Sequence, residues 1–175
     1  MSLRNNRITQ EYAALKKMLK DGEIAQLKSF GKDDKNIEHL AITLKGPKGT
    51  SYDGGLFRLE LKFPPEYPAQ PPFVRMHTAL WHPNFWPNPT EYKGQRNICL
   101  ALVDPGLIGQ KGGWSPSKTA VTVVQAIIAM LNTRGQFINP TDVFNKKAAV
   151  EMMKDPKNFD KKVKFLVKKY ADKKW

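Results

Sequence analysis

Between residues 39 and 63 apolar side chains recur at every second position, and that spacing constrains the fold more than any other feature. Leu40, Ile42 and Leu44 alternate with His39, Ala41, Thr43 and Lys45, while Phe57, Leu59, Leu61 and Phe63 alternate with Arg58, Glu60 and Lys62. An extended strand sends successive side chains to opposite faces, so both runs predict antiparallel strands with one face buried and the other wet. Val74 and Met76 against Arg75 and His77 continue the pattern into a third strand. Pro64, Pro65, Pro68, Pro71 and Pro72 intervene. Proline cannot donate to a ladder, so this stretch reads as an ordered crossing loop.

Such a sheet needs a cover, and the flanking segments switch to helical spacing. Ile8, Tyr12, Leu15 and Leu19 fall on one face of an N-terminal helix whose other faces carry Arg7, Lys16, Lys17 and Lys20. Ala120, Val123, Val124, Ile127, Ile128 and Leu131 form a broad stripe that predicts a central helix lying on the inner sheet face. A further helix is expected from near Asp142, holding Ala148, Ala149, Met152 and Met153. Asp155-Pro156 reads as an N-cap followed by a first-turn proline, opening a last helix with Phe159, Val163, Leu166, Val167 and Tyr170 on its apolar face. Helix, strand meander, then helices on one side of the sheet is an α+β domain.

The chain has 175 residues, 41% of them hydrophobic, which suits one domain with a proper core spanning residues 1–175. No secretory leader is read in the first residues, and the longest apolar stretch, Ala120 to Leu131, is too short to span a bilayer. The net charge is +13, and nine lysines against three acids between Lys154 and Lys174 supply six of those charges. That charge rides on a helix with an apolar stripe, so a solvated lysine face or acidic protein partners explain it better than a specific nucleic acid. No zinc-ligand spacing, Gly-rich phosphate loop or RNA-reading aromatic motif is present.

Cys99 is the single cysteine, so no internal disulfide can form, and a reducing cytoplasm or nucleus is the expected location. Flanked by Ile98 and Leu100, it could be a buried core residue. His82-Pro83-Asn84 precedes it and Gly113-Trp114-Ser115-Pro116 follows it. With Lys45-Gly46-Pro47, Tyr52-Asp53-Gly54-Gly55, Phe63-Pro64-Pro65-Glu66-Tyr67-Pro68 and Asn139-Pro140-Thr141-Asp142, these strings occur in the order that resembles the ubiquitin-conjugating enzyme family. The resemblance implies the UBC fold: an N-terminal helix, an antiparallel four-stranded meander and C-terminal helices. In that family the 45–55 segment is like the first sheet hairpin, and the prolines follow the second strand.

The resemblance also implies roles. Cys99 would carry ubiquitin as a thioester, received from an activating enzyme and surrendered to a substrate lysine with the help of a ligase. Asn84 would stabilise the oxyanion or the loop that does so, the alternative being a plain turn cap. His82 and Pro83 would structure that turn. A cysteine-protease relay through His82 and Asn84 is excluded, because two residues that close on one turn cannot both orient toward the same thiol. Asp142 would orient the incoming lysine, or cap the helix after it, or do both. Arg7, Lys16, Lys17 and Lys20 would meet the activating enzyme, and Ala69, Ser115, Pro116 and Ser117 the ligase. No metal or cofactor is expected, since ATP is consumed by the activating enzyme.

Three departures accompany the resemblance. Fourteen residues (85–98) separate Asn84 from Cys99, a longer interval than most of the family uses, and Trp86, Pro87, Pro89 and Tyr92 lie in it. Another fourteen (100–113) separate Cys99 from Trp114, and Gly106, Gly109, Gly112 and Gly113 suggest a flexible flap. Ala69 stands where many members that work with RING or HECT ligases carry a large apolar side chain. The long second segment, with Asp142, Asn145, Ala148 and Ala149, is similar to the neddylation branch. Ubiquitin is the first expectation, a ubiquitin-like modifier the second. A non-conjugating binding module whose insertions cover Cys99 is the reading from another class.

Overall fold

The computed structural model describes residues 2–31, 35–88, 95–132 and 143–175. Helix α1 (Leu3–Lys20) leads into strands β1 (Ile24–Ser29), β2 (His39–Lys45), β3 (Leu56–Lys62) and β4 (Phe73–Met76). Two single 3-10 turns follow (Ala101–Val103 and Pro105–Leu107), then helices α2 (Ala120–Asn132), α3 (Lys146–Lys154) and α4 (Pro156–Tyr170). The strands form one antiparallel sheet in sequence order. Register aligns Leu40 with Leu61, Ile42 with Leu59 and Leu44 with Phe57, then Leu59 with Met76 and Leu61 with Val74. The apolar sets of three strands thus share one face, which a one-residue slip would turn into solvent. Ala120, Val123, Val124, Ile127, Met130 and Leu131 of α2 are buried in the same core.

The strand absent from the alternation is β1. Its inner residues are Ile24, opposite Leu44, and Leu27, opposite Ile42, because a bulge between Ile24 and Gln26 inserts a residue. The bulge turns a period of two into a step of three and hides the strand from pattern reading. Hence the turn with Gly46 and Gly55 joins the second and third strands, not the first pair, and the prolines follow the third strand. Glycine at 46 is a matter of space: a Cβ there would sit 1.7 Å from the Tyr52 carbonyl oxygen.

The outer sheet face is less wet than alternation predicts, for Ala41 and Thr43 are buried as fully as Leu40 and Ile42. The C-terminal segment supplies the cover. Ala171 accepts from the Leu56 N–H at 2.9 Å, and the Trp175 indole donates to the Ile42 carbonyl at 2.9 Å. Its ring packs edge-on against Phe30 at 5.2 Å and His77 at 4.8 Å between centroids.

Helix α1 also differs from its pattern. Its inward residues are Ile8, Glu11, Leu15 and Met18, and Leu19 is 36% exposed. The buried carboxylate explains the difference. Glu11 accepts from the Arg7 guanidinium at 2.7 Å, the Tyr67 hydroxyl at 2.5 Å and the Ala120 backbone N–H at 2.9 Å. It therefore occupies the N-terminus of α2, where anionic oxygen is stabilised by unpaired N–H groups and the helix dipole. Helix α4 opens as expected, with Asp155 accepting from the Asn158 N–H at 3.1 Å and proline in the first turn. Met153 of α3, placed inside by its spacing, is 71% exposed.

Candidate active site

The site is assembled at the far edge of β4. Asn97 is 1% exposed; its side-chain oxygen accepts from the Met76 N–H at 2.8 Å and its amide donates to the Met76 carbonyl at 2.7 Å. One asparagine thereby satisfies both backbone groups at the end of the last strand and moors the next-but-one residue, Cys99, to the sheet. On the other side the chain from the His82 turn lies alongside. Phe85 and Ile98 form an antiparallel bridge, the Trp86 N–H donates to Asn97 O at 3.0 Å, and the Cys99 N–H donates to Asn84 O at 2.7 Å. The Asn84 amide returns a bond to the Cys99 carbonyl at 3.2 Å. Asn84 and Cys99, with fourteen residues between them in the chain, are thus braced backbone to backbone.

His82 fixes the turn from beneath. Its Nδ1 accepts from the Asn84 N–H at 3.0 Å, and its Nε2 lies 3.0 Å from the Met130 carbonyl of α2. A carbonyl only accepts, so Nε2 carries the proton and the imidazole is neutral. Burial drives its pKa down to about 4, the Met130 carbonyl opposing only in part. With both nitrogens committed, His82 has no lone pair to offer a thiol and cannot serve Cys99 as a base.

Asn145 secures the opposite wall. Its backbone N–H donates to the Pro83 carbonyl at 2.9 Å, and its side-chain oxygen accepts from Ala148 N at 3.0 Å, capping α3. Helix α3 therefore starts at Lys146 and not near 142. Asp142 lies outside the described residues.

Cys99 is partly exposed and lines an open groove of about 560 Å³. Arg96, Leu100, Asp104, Leu107 and Phe144 line the same groove. Phe144 meets the Trp86 ring edge-on at 6.3 Å. The 100–113 segment differs from the flap its glycines suggest. Leu102 and Val103 are buried, Gly109 N donates to Trp114 O at 2.9 Å and Gly113 N to Gln110 O at 3.0 Å. Gly113 is there because a Cβ would meet the Leu107 carbonyl oxygen at 1.7 Å.

The remaining residues singled out in the sequence lie on α1 and on the loops around Ala69 and Ser115. Trp114 is fully buried and its indole donates to Pro68 O at 2.8 Å, joining the loop of exposed Ala69 to that of Ser115, Pro116 and Ser117. Ser115 and Ser117 pair through their hydroxyls at 2.9 Å. Arg7 corrects its expectation: its guanidinium is not free in water but donates to Pro116 O at 2.9 Å and Lys118 O at 2.6 Å as well as to Glu11. Lys16 and Lys20 remain exposed, the former over the Tyr12 ring at 4.8 Å, and Lys17 pairs with Asp21. Among the described residues no cluster of metal-ligating side chains occurs, and no helix is long and apolar enough to cross a membrane.

Sequence reasoning gave no positioning role to Asn97, Asn145 or Glu11, all buried polar residues, although Asn145 stood in the family resemblance. Only Glu11 carried a signal, a charge on the inward spacing of Ile8 and Leu15.

With this geometry the comparisons with known proteins agree. The sequence model described as "Ubiquitin-conjugating enzyme" matches residues 7–167. The chain belongs to the ubiquitin-conjugating enzyme family. It is 30% identical over 167 residues to ubiquitin-conjugating enzyme E2 14 of Schizosaccharomyces pombe, covering 95% of this chain and 94% of that protein. It is also 30% identical to the ubiquitin-conjugating enzyme E2 of an African swine fever virus isolate, over 80% of this chain; the match spans 62% of the viral protein's length. Among solved structures, a ubiquitin-conjugating enzyme E2 domain from Toxoplasma gondii superposes with a TM-score of 0.71 at 27% identity, covering 95% of this chain and 99% of that one. Members of this family share the helix, four-stranded sheet and C-terminal helices described above.

Proposed function

We propose that the chain carries ubiquitin as a thioester on Cys99 and transfers it to lysine amines of protein substrates. The observation that carries this reading is the combination at Cys99: a thiol in an open groove, its backbone braced by Asn84, and the nearby imidazole withdrawn from proton transfer. A thiol is intrinsically nucleophilic and needs no strong adjacent base. With both nitrogens engaged, the His82 imidazole is not available to deprotonate water, which suits a thioester carrier.

In the loading step the Cys99 thiolate attacks the thioester carbonyl on the activating enzyme; a carbon–sulfur bond forms and the activating enzyme's thiolate leaves. ATP is spent upstream, and no cofactor is assigned to this chain. In the transfer step a lysine amine attacks, the amide forms, Cys99 departs as thiolate and the surplus ammonium proton passes to solvent. Asn84 Nδ2 has two hydrogens, one of them engaged by the Cys99 carbonyl. The second is the donor assigned to the oxyanion, and Asp142 is the group assigned to orient the amine. Lys16, Lys17 and Lys20 are assigned to the activating enzyme, and the Ala69 and Ser115–Ser117 loops to a ligase. A reducing cytoplasm or nucleus is the location that suits a working thiol.

The test is charging with activating enzyme, ATP and modifier, read on a non-reducing gel. Ubiquitin should give a thiol-sensitive shift abolished by Cys99→Ala. Charging by a ubiquitin-like modifier alone would move the assignment to that modifier, and no charging at all would leave a binding module.

A further inference from the structure

Helices α3 and α4 carry a charge surplus that the transfer chemistry does not use. From Lys146 to Lys174 there are eleven lysines, four acids and no arginine. Three of the four acids are turned to internal work. Glu151 accepts from the Trp81 indole at 2.6 Å and the Asn158 amide at 2.5 Å, Asp155 caps α4, and Asp160 accepts from the Ser51 hydroxyl at 2.5 Å. Among the described residues the one ion pair of these helices is Lys162 with Glu151, at 4.0 Å. The rest of the lysines present uncompensated charge.

Within this basic field lies an apolar trough of about 490 Å³. It is lined by Trp81, by Val150, which is 51% exposed, by Lys146, Lys147, Lys154 and Lys162, and by the Glu151 carboxylate, which is engaged by the Trp81 indole and the Asn158 amide. Lys162 Nζ stands over the Trp81 ring, 3.3 Å from its centroid. The trough lies close to the active site along the chain at two points. Trp81 precedes His82 directly, and Lys146 is two residues from Phe144, the wall of the Cys99 groove. Two residues span at most ~7 Å, so a chain crossing from one depression to the other needs only a few residues.

We propose that the trough receives the acceptor protein: a segment with a large apolar side chain among Asp and Glu, lying close in sequence to the lysine being modified. This rests on the transfer reaction proposed above. The occupant follows from shape and charge. An open apolar depression beside a helix and an indole admits a large apolar side chain. Lysine without arginine gives hydrated point charges, which suit mobile carboxylates and lack the forked geometry that selects phosphate. The docked segment raises the local concentration of its own lysine at the thioester, so it lowers the KM of transfer and leaves kcat alone.

The experiment uses the full chain and labelled peptides of about twelve residues. Each has one lysine and, on the order of five residues away on either side, a Phe flanked by Glu; in the control Gln replaces Glu and Ser replaces Phe. Binding to the uncharged protein is followed by anisotropy, and transfer from the charged protein by single turnover. The acidic peptide should bind at least about tenfold tighter than the control, lose that advantage as salt rises, and show the same ratio in KM. Lys146→Glu with Lys147→Glu, and separately Val150→Asp, should erase the preference while charging and discharge to free lysine stay normal. The first pair sits in the first turn of α3, where Glu favours the helix, so unfolding does not explain the loss. Equal affinity for the two peptides, or a preference that survives both variants, overturns the inference. Tighter binding to phosphatidylserine vesicles or random duplex DNA than to the acidic peptide overturns it as well. Failure of charging with intact peptide binding would instead refute the transfer reaction and leave the trough as an acidic-segment site.

Discussion

The neutral state of His82 makes stability depend on pH in a way the fold can be held to. Its imidazole is buried with Nε2 donating to Met130 and Nδ1 accepting from Asn84, and its pKa falls from 6.5 to about 4. Because the folded-state value lies below the unfolded one, the unfolded chain binds the proton first. The contribution is complete above pH 6.5 and is lost as pH falls toward 4. Linkage gives a loss of about 2 kcal/mol at pH 5 and about 3 kcal/mol at pH 4 from this one group. Glu38 and Glu60, whose pKa values are lowered by Arg4 and by His77 and His39, lose their contributions only below the ordinary carboxylate value near 4.5. The window from pH 6.5 to 5 therefore isolates the imidazole from these carboxylates. Urea unfolding at pH 7 and pH 5 should show the wild type losing about 2 kcal/mol more than His82→Gln, although the variant is less stable at both. NMR of the His82 ring in the folded protein should show no protonation above pH 5. A ring that titrates near 6.5, or equal pH slopes for the two proteins, would refute the buried neutral turn.

Other perturbations follow from the same contacts. Cys99→Ser should accept the modifier as an oxyester that resists reducing agent on a gel, and a thiol-labile product would remove Cys99 from the mechanism. Asn84→Ala should spare loading but slow aminolysis by at least about 100-fold in single turnover, as losing an oxyanion donor does; equal losses in both steps would make Asn84 a brace only. Glu11→Ala strands the Tyr67 hydroxyl, the Ala120 N–H and the Arg7 charge, so urea unfolding should report a loss of about 3 kcal/mol against under 1 kcal/mol for the half-exposed Leu19→Ala. Lys16→Glu with Lys20→Glu should slow charging at limiting activating enzyme with melting temperature unchanged, and a rate indifferent to salt would refute docking on α1.

What the sequence made legible was whatever repeats with the period of its element. The alternation at 40–44 and 57–61, the α2 stripe and the Asp155-Pro156 helix start all reappear in place, because burial on one face imposes that period directly. Strand β1 was hidden by a bulge, and the cover over Ala41 and Thr43 by a tryptophan 132 residues after Thr43 in the chain, neither of which leaves a local trace. Motifs brought Cys99, His82 and Asn84 into view. The residues that aim them did not announce themselves. Asn97 and Asn145 act through backbone groups of Met76 and Pro83, and any asparagine in the chain looks the same until those partners are placed. Arg7 was misread for the reciprocal reason: an exposed face is inferred from the apolar stripe, yet the loop after Trp114 folds over part of it.

The long excursion between Asn84 and Cys99 would seem to loosen the thiol, and magnitudes decide that it does not. Doubling a flexible connection costs only about 0.6 kcal/mol in closure entropy. Against this the neck carries bonds from Cys99 N to Asn84 O, from Trp86 N to Asn97 O and from the Asn84 amide to Cys99 O, each worth roughly 0.5–1.5 kcal/mol net. The paired bonds of Asn97 to Met76 then tie the neck to the sheet. The neck outweighs the added length severalfold, so the Cys99 backbone stays registered to β4. By the same logic Asn97 is the residue on which the excursion depends. Its replacement by Ala leaves two backbone groups of Met76 unpaired and frees the whole neck, so it should impair loading and transfer together, unlike Asn84→Ala, which separates them.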